Sequence, residues 1–407
     1  MERILERCAG LDVHKKTVVA CALTPAGSQV RSFGTMTEDL LSLVDWLLAL
    51  EISEIAMEST GVYWKPVYNL LEAAELRPIV CNAKDMRNVP GRKTDVKDAE
   101  WIAQLHQHGL LKASFIPDRD SRELRELVRY RKSVIRERSA EANRIQKVLE
   151  GANIKLASVA SDVLGRSGRE MLSALAAGNE DVEALAGMAR GRLASKGKEL
   201  ERALRGVVGR HQRFILAEQL RHIEELDNRV LRLDEEIAQR LHPFGEQLAA
   251  LETIPGVGRR VAQSLVVEIG VDMSRFPTAK HLASWAKLCP GNNESAGKRR
   301  SGRTGRGNNW LKTSMTEAAW AAARSKNNFL RSQFNHWARR LGAKRAIVAM
   351  AHSILTIVYH ILKDGQPYHD LGSDFLDQRR REAIRRNAER RLLALDFDVQ
   401  ISDRRAA

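Results

Sequence analysis

The chain has 407 residues, with 66 Lys and Arg against 51 Asp and Glu, so its net charge is +15. That length supports two or three domains with real cores, and that excess points to a polyanionic partner, nucleic acid first. The four cysteines, Cys8, Cys21, Cys81 and Cys289, form no close pair, which argues against a disulfide framework or a zinc finger and suits a reducing cytoplasm.

In chain order, Cys8 to Val13 reads as an apolar strand carrying Asp12 near its end. His14-Lys15-Lys16 follows, then a second strand from Thr17 to Leu23, a turn at Pro25-Ala26-Gly27 and a third strand from Val30 to Phe33. Leu40 to Leu50 has helical spacing, with Leu40, Leu43, Val44, Leu47 and Leu48 on one side. Ile55-Ala56-Met57 is a fourth, buried strand that delivers Glu58 at its C-terminal end; Val62 to Ala74 is helical, and Ile79-Val80-Cys81 is a fifth strand. A helix follows in Lys-Thr-Asp-Val-Lys-Asp-Ala-Glu-Trp-Ile-Ala, Lys93 to Ala103. Asp95 and Asp98 stand three residues apart, so a helix puts both carboxylates on one face, one turn apart. Three strands, then helix, strand, helix, strand, helix is the order of a ribonuclease-H-like mixed sheet, where functional groups gather at strand ends. Asp12, Glu58, Asp95 and Asp98 then converge on one edge. Four carboxylates in one place repel unless cations sit between them, and an oxygen-only set suits Mg²⁺ or Mn²⁺. Lys15, Arg92 and Lys93 beside them suit a phosphate. The bland reading is a solvated helix face whose first turn favours acids.

From Ser121 to Leu149 the chain reads as a basic helix, with Arg122, Arg125, Arg129, Arg131, Lys132, Arg136, Arg138, Arg144 and Lys147. Some of these pair with interspersed acids, and the remainder suit nucleic-acid backbone. Gly165-Arg166-Ser167-Gly168 breaks the pattern. After Gly209 a long helix carries Leu216, Leu220, Ile223, Leu226, Val230, Leu233, Ile237 and Leu241 at coiled-coil spacings, either for an intramolecular hairpin or for a dimer contact, and His242-Pro243 ends it. Ile254-Pro255-Gly256-Val257-Gly258, followed by an apolar helix, is either a helix-hairpin-helix turn that meets a phosphate or a plain bend in a core. Pro290 to Lys312 is rich in glycine. Between Ser295 and Lys312 it carries Lys298, Arg299, Arg300, Arg303, Arg306 and Lys312 and no acid. It reads as a basic loop on DNA or a tether, and no His lies within it to activate a serine. Ala318 to Leu330 and Ala343 to Leu362 read as core helices, in which Trp310, Trp320 and Trp337 either pack or stack on bases. The apolar run Ala346 to Leu362 contains His352 and His360 and is short for a membrane span, and the start of the chain lacks the apolar core of a signal peptide. Gln378 to Arg391 is an Arg-rich helix, a solvated arm or a nucleic-acid contact.

Three stretches carry a resemblance: Gly10-Leu11-Asp12-Val13-His14-Lys15, Met57-Glu58-Ser59-Thr60-Gly61-Val62-Tyr63-Trp64, and Lys93-Thr94-Asp95-Val96-Lys97-Asp98-Ala99. With the Ile254 to Gly258 turn, Ser295-Ala296-Gly297-Lys298 and Arg306-Gly307-Asn308, the chain resembles the DEDD-type insertion-sequence transposases, recombinases guided by a bridge RNA. The resemblance implies an α/β plus α protein: a RuvC-like catalytic domain over residues 1–155, a helical coiled-coil linker over 156–245, a mostly helical transposase domain over 246–365 and a basic helical tail over 366–407. It implies Asp12, Glu58, Asp95 and Asp98 as metal ligands and Ser295 as nucleophile, with Ser301 as a rival because Ser301-Gly302 also fits the serine-glycine pattern of relatives. It further implies DNA (element ends and target) and a structured guide RNA as partners, a homodimer or homotetramer, no membrane, and a bacterial cytoplasm beside the nucleoid. Two rivals stand: a water-using, junction-resolving nuclease with the same acids and no covalent step, and a non-catalytic nucleic-acid scaffold.

Overall fold

The computed structural model describes residues 3–59, 61–82, 95–290, 293–295, 298–302, 304–305, 307–395 and 398, with backbone alone at 95–97, 293–295 and 298–301. Two compact units divide the chain, Met1–Asp118 and Arg119–Ala407.

The first unit holds a five-stranded sheet in the order β3-β2-β1-β4-β5. The strands are β1 Cys8–Val13, β2 Thr17–Thr24, β3 Gly27–Gly34, β4 Glu54–Glu58 and β5 Arg77–Cys81. The first three form an antiparallel meander, and β4 and β5 run parallel to β1, so the sheet is mixed. The elements follow the expected order, with helices α1 Thr37–Ala49 and α2 Trp64–Ala73 between strands and α3 Asp95–Gln107 after them. Side chains alternate across a strand, and both faces of this sheet are covered. Leu11, Val13, Val18, Ile55 and Met57 point to one face and pack with Leu43, Leu47, Val67 and Leu71 of α1 and α2. Val19 and Cys21 of β2 and Ala56 of β4 point to the other, where they meet Ala99, Ile102 and Ala103 of α3. β1, buried along its whole length, therefore has no polar face, and its one charged residue is Asp12.

Gly10 sets how closely α3 lies on the sheet. A Cβ there would come within 2.3 Å of the Ala103 nitrogen and 2.4 Å of the Ala99 carbonyl oxygen, both backbone atoms that cannot swing aside.

The second unit is helical in its described part, apart from one short hairpin. Its frame is α4 Arg119–Gly151. Beyond it come α5 Leu156–Val159, α6 Arg166–Ala176, α7 Val182–Gly187, α8 Gly197–Leu204 and α9 Arg210–Arg240. Gly165 to Gly168, expected as a break, instead starts α6: Gly168 is buried, and a Cβ there would lie 2.1 Å from the Val163 carbonyl oxygen. α9 lies antiparallel along α4. Their register is fixed by Val134 packed on Leu226 and Val230, by Arg131 donating to Asp234 at 2.7 Å, by Arg138 on Asp227 and by Arg240 with Glu123 at 3.4 Å. The apolar stripe of α9 is thus used within the chain along this stretch.

The main core of the unit is built by α10 Gly245–Glu252, α11 Arg259–Ile269, α12 Ala279–Trp285, α13 Asn309–Arg324, α14 Phe329–Leu341 and α15 Ala343–Asp364. The apolar α15 buries Ile347, Met350, Ile354, Leu355 and Val358 in that core. Where one helix was expected from Ala318 to Leu330, the chain breaks after Arg324, and Asn328 opens α14 by accepting the Arg331 N–H at 2.8 Å. The last helix, α16 Phe375–Leu393, buries none of its residues.

Gly10→Ala should lower the melting temperature of the first unit by several degrees, since overpacking against backbone costs about 1–3 kcal/mol. Gly151→Ala, with nothing within 4 Å of the new methyl, should not. Thermal unfolding followed by circular dichroism checks both.

Candidate functional site

The register of the sheet decides where the acids go. Gly10 pairs with Ala56 and Leu11 with Met57 in the parallel pair β1–β4, so Asp12 and Glu58 are the next residues on adjacent strands. Neighbouring strands run about 4.8 Å apart. Asp12 shares its face with Gly10, and Glu58 shares its face with Ala56; both are the α3 face of the sheet. Along β1 the chain moves from Cys8, whose thiol points to the Ala103 carbonyl at 3.6 Å, to Gly10 under Ala99 and Ala103. Two further residues on, β1 reaches Asp12 while α3 runs back toward its first turn, where Asp98 and the Asp95 backbone stand. A strand advances about 6.6 Å over two residues and a helix about 6 Å over four, so the two advances match. The structure therefore brings Asp12, Glu58 and the start of α3 to one end of one face. The Asp95 carboxylate, Lys97, Arg92 and Lys93 lie outside the described side chains.

Asp12 is 6% exposed, and its Oδ2 lies 3.0 Å from Nε2 of His14, which the β1–β2 turn swings back toward it. Glu58 and Asp98 are half-buried, and Lys15 is exposed beside His14. Among the described side chains no three His, Cys, Asp or Glu close into an ion cage. The donor set at this edge is all oxygen plus one imidazole, which fits a hard divalent cation and not a thiolate-ligated one. Cys8 does not compete: burial, with Cys21 and Glu54 nearby, pushes its thiol up to about 11.

The second stretch, Pro290 to Lys312, holds two short strands among its described residues. Asn293–Ser295 and Lys298–Ser301 pair as antiparallel strands, with Ser295 opposite Lys298 and Ser301 opposite Asn293 at the other end. The rival serines thus stand at opposite ends of one hairpin. Lys298, Arg299 and Arg300 lie on its second strand as backbone positions, whereas Arg303 and Arg306 lie outside the described residues. Lys312 is engaged: its Nζ donates to Thr304 Oγ1 at 2.6 Å.

Sequence reasoning missed what anchors this loop. Glu268, at the end of α11, is 1% exposed. Arg129 donates to both its oxygens, at 2.7 and 2.8 Å, and Arg125 donates to the backbone carbonyls of Val267 and Glu268. Asn308 donates its Nδ2 to Glu268 Oε2 at 2.5 Å and accepts from the N–H groups of Trp310 and Leu311 with its Oδ1, capping α13. The Trp310 ring lies under the guanidinium of Arg136, 5.0 Å from ring centre to carbon, with Arg129 at 5.9 Å. Arg131 donates to Asp234 and Gln263, Lys132 to Ser314 and Glu317, and Arg144 to Glu141. Many cations of α4 that the sequence offered to nucleic acid are therefore structural. Except for Arg144, whose partner Glu141 lies one turn back in the same helix, their partners are more than 100 positions away, so spacing within the helix could not reveal them. The turn from Ile254 to Gly258 likewise resolves toward packing at Gly256: with φ +88 it lies against α13, where a Cβ would meet the Ala318 oxygen at 2.4 Å.

Glu268→Ala should cost about 3 kcal/mol or more, because Arg129 is left partly buried beside an emptied pocket. Glu268→Gln should cost less. Denaturant unfolding of the full chain measures both.

Residues 9–154 match the family model described as "Transposase", of the DEDD insertion-sequence type, and residues 248–335 match "Transposase IS116/IS110/IS902 family". The chain is 32% identical over 128 residues to the "Insertion element IS110 uncharacterized 43.6 kDa protein" of Streptomyces coelicolor, 31% of each chain. It is 27% identical over 157 residues to the "Pilin gene-inverting protein" of Moraxella bovis and to that of Moraxella lacunata, 36% of this chain and 47% of each relative. These matches span 31 to 47% of the relatives' length. The two family models fall on the acid-bearing sheet and on the helices that flank the serine hairpin, and the chain belongs to the DEDD transposases of insertion sequences of the IS110 type.

Proposed function

We propose that this chain is a DNA recombinase that mobilises an insertion sequence, cutting and rejoining strands with Mg²⁺ or Mn²⁺ and a serine nucleophile. The observation that carries this reading is the register that sets Asp12 beside Glu58, on the face covered by the start of α3. The sheet order and the close-packed helix support a RuvC-like domain.

In this reading Asp12, Glu58, Asp95 and Asp98 hold the divalent ions. Bound there, the ions supply charge neutralisation at a scissile phosphate and lower the cost of an anionic oxygen. The rest falls to the protein. Burial of Asp12 keeps water from competing for its carboxylate, and His14 fixes the orientation of that carboxylate by its contact with Oδ2. Ser295 ends the first strand of the hairpin, opposite Lys298, and the Glu268–Asn308–Trp310 anchor holds the chain after that loop through α13. The Ser295 Oγ forms a bond to phosphorus as one backbone P–O bond of the DNA breaks, giving a phosphoserine link; a hydroxyl of the partner strand then displaces the serine. Lys15, Arg92, Lys93, Lys298, Arg299, Arg300, Arg303 and Arg306 contact phosphates, and Lys312 supports the loop through Thr304. DNA at element ends and target, with a structured guide RNA choosing sequence by base pairing, are the partners of this reading. So is a second copy of the chain, in a dimer or tetramer, within a bacterial cytoplasm. The name of the Moraxella relatives, gene inversion, suits the same chemistry of breakage and rejoining.

Two substitutions separate this from a water-using nuclease. Asp12→Asn should reduce metal-dependent strand cleavage of an element-end substrate by a factor of 10² or more on the order expected for lost charge stabilisation, with DNA binding retained. Ser295→Ala should abolish covalent protein–DNA adducts trapped by denaturing electrophoresis, whereas Ser301→Ala should retain them. Adducts that persist in Ser295→Ala and vanish in Ser301→Ala would move the nucleophile; cleavage intact in both would replace the serine mechanism by hydrolysis.

A further inference from the structure

A cleft of about 1090 Å³ lies between α14, α15 and the loop that leaves the serine hairpin. Its described walls are of two kinds. Trp337, Leu341 and Val348 are apolar and half-buried, while Lys344 and Arg345 are exposed cations on its rim. Gly302 and Thr304, directly after the hairpin strand Lys298–Ser301, form another wall. The volume is at the upper end of that of small-molecule pockets.

Three features point to the same ligand. Lys344 and Arg345 make no ion pair among the described residues, although most cations of α4 do. They stand in the first turn of α15, which holds no acid, so they face the positive end of its dipole. Folding gains nothing from two cations there; a phosphate in front of them would offset the repulsion. Trp337 is packed on the core from one side, and no other aromatic ring pairs with its indole among the described residues. His352, half-buried, lines the same cleft, and burial lowers its pKa, so at neutral pH it offers one donor and one acceptor without charge. An indole face, an uncharged imidazole and a pair of free cations are complementary to a base and its phosphate.

We propose that this cleft binds an unpaired nucleotide of a nucleic-acid strand, with the base against Trp337 and its phosphate on Lys344 and Arg345. A duplex keeps its bases stacked on one another and offers no face to an indole, whereas an extruded or single-stranded base does. Because Gly302 and Thr304 close the cleft, a strand seated there runs beside the hairpin that carries Ser295. The site rests on the recombinase reading for its biological use, but its binding chemistry does not depend on cleavage.

The test uses the full chain without divalent metal and follows anisotropy of labelled oligonucleotides of one sequence as single-stranded DNA, single-stranded RNA and duplex DNA. Trp337→Leu should weaken single-strand binding about tenfold and leave duplex binding nearly unchanged, the scale of one lost stacking contact. Lys344→Gln with Arg345→Gln, both exposed, should weaken single strands and lower the salt slope by about 0.7, the share of one phosphate on a single strand. Arg339→Gln with Arg340→Gln, the same charge change outside the described cleft wall, should affect duplex and single strand alike. The strand that loses more, DNA or RNA, identifies the source of the base. Unchanged single-strand affinity in Lys344→Gln/Arg345→Gln, or equal losses on duplex and single strand in Trp337→Leu, overturns the site. Since no cutting is measured, failure here leaves the metal-dependent chemistry standing, and loss of that chemistry leaves this result standing.

Discussion

The backbone of α3 rests directly on Gly10, and the rest of the acid site depends on that contact. With no Cβ at position 10, Ala99 and Ala103 come down to the strand, and the helix axis is fixed by backbone atoms rather than by long side chains. The first turn of α3 then falls opposite the end of β1. A larger residue at 10 would lift the helix and widen the gap between its acids and those of the strands. Small residues at 56, 99 and 103 complete the close fit, so this face of the sheet has little apolar bulk and a polar end. The other face, packed with leucines and Met57 under α1 and α2, carries the stability. One face holds the sheet together and the other is thinned to bring charges close.

The second unit solves a different problem. A glycine-rich basic loop has few apolar side chains to fix it, and a buried carboxylate holds the residue that follows it instead. Glu268 gathers Arg129 and Asn308, and through Asn308 it sets the start of α13 just after the loop. A buried ion pair adds little net stability, but one with bidentate geometry and a third donor is directional. The network therefore positions more than it stabilises. It also consumes cations that composition alone would assign to nucleic acid, so the +15 charge overstates how many residues are available to a phosphate backbone.

Much of the first unit is legible from the sequence. Apolar runs bounded by turn residues gave the strands, and the three-residue spacing of Asp95 and Asp98 marked one helical face. Strand order and register were not written in any local pattern, yet the parity of Gly10 with Asp12 and of Ala56 with Glu58 follows once β1 and β4 are paired. The hairpin at Asn293–Ser301 escaped because its residues are glycine-flanked and charged, without apolar alternation. Glu268 escaped for another reason. It looks like any acid near a helix end, and its partners lie some 40 and 140 positions away. The break after Arg324 was hidden because alanines run smoothly into it, and only Asn328 announces a new helix.

The central claim is that acids from two strands and a helix form one divalent-cation site. Diffraction from crystals of the full chain soaked in Mn²⁺, recorded at the manganese absorption edge, tests it without relying on activity. The account predicts an anomalous peak within ligand distance of the Asp12 and Glu58 carboxylates and of an acid of α3, lost in Asp12→Asn. Manganese bound only elsewhere, or an unchanged peak in Asp12→Asn, would contradict it.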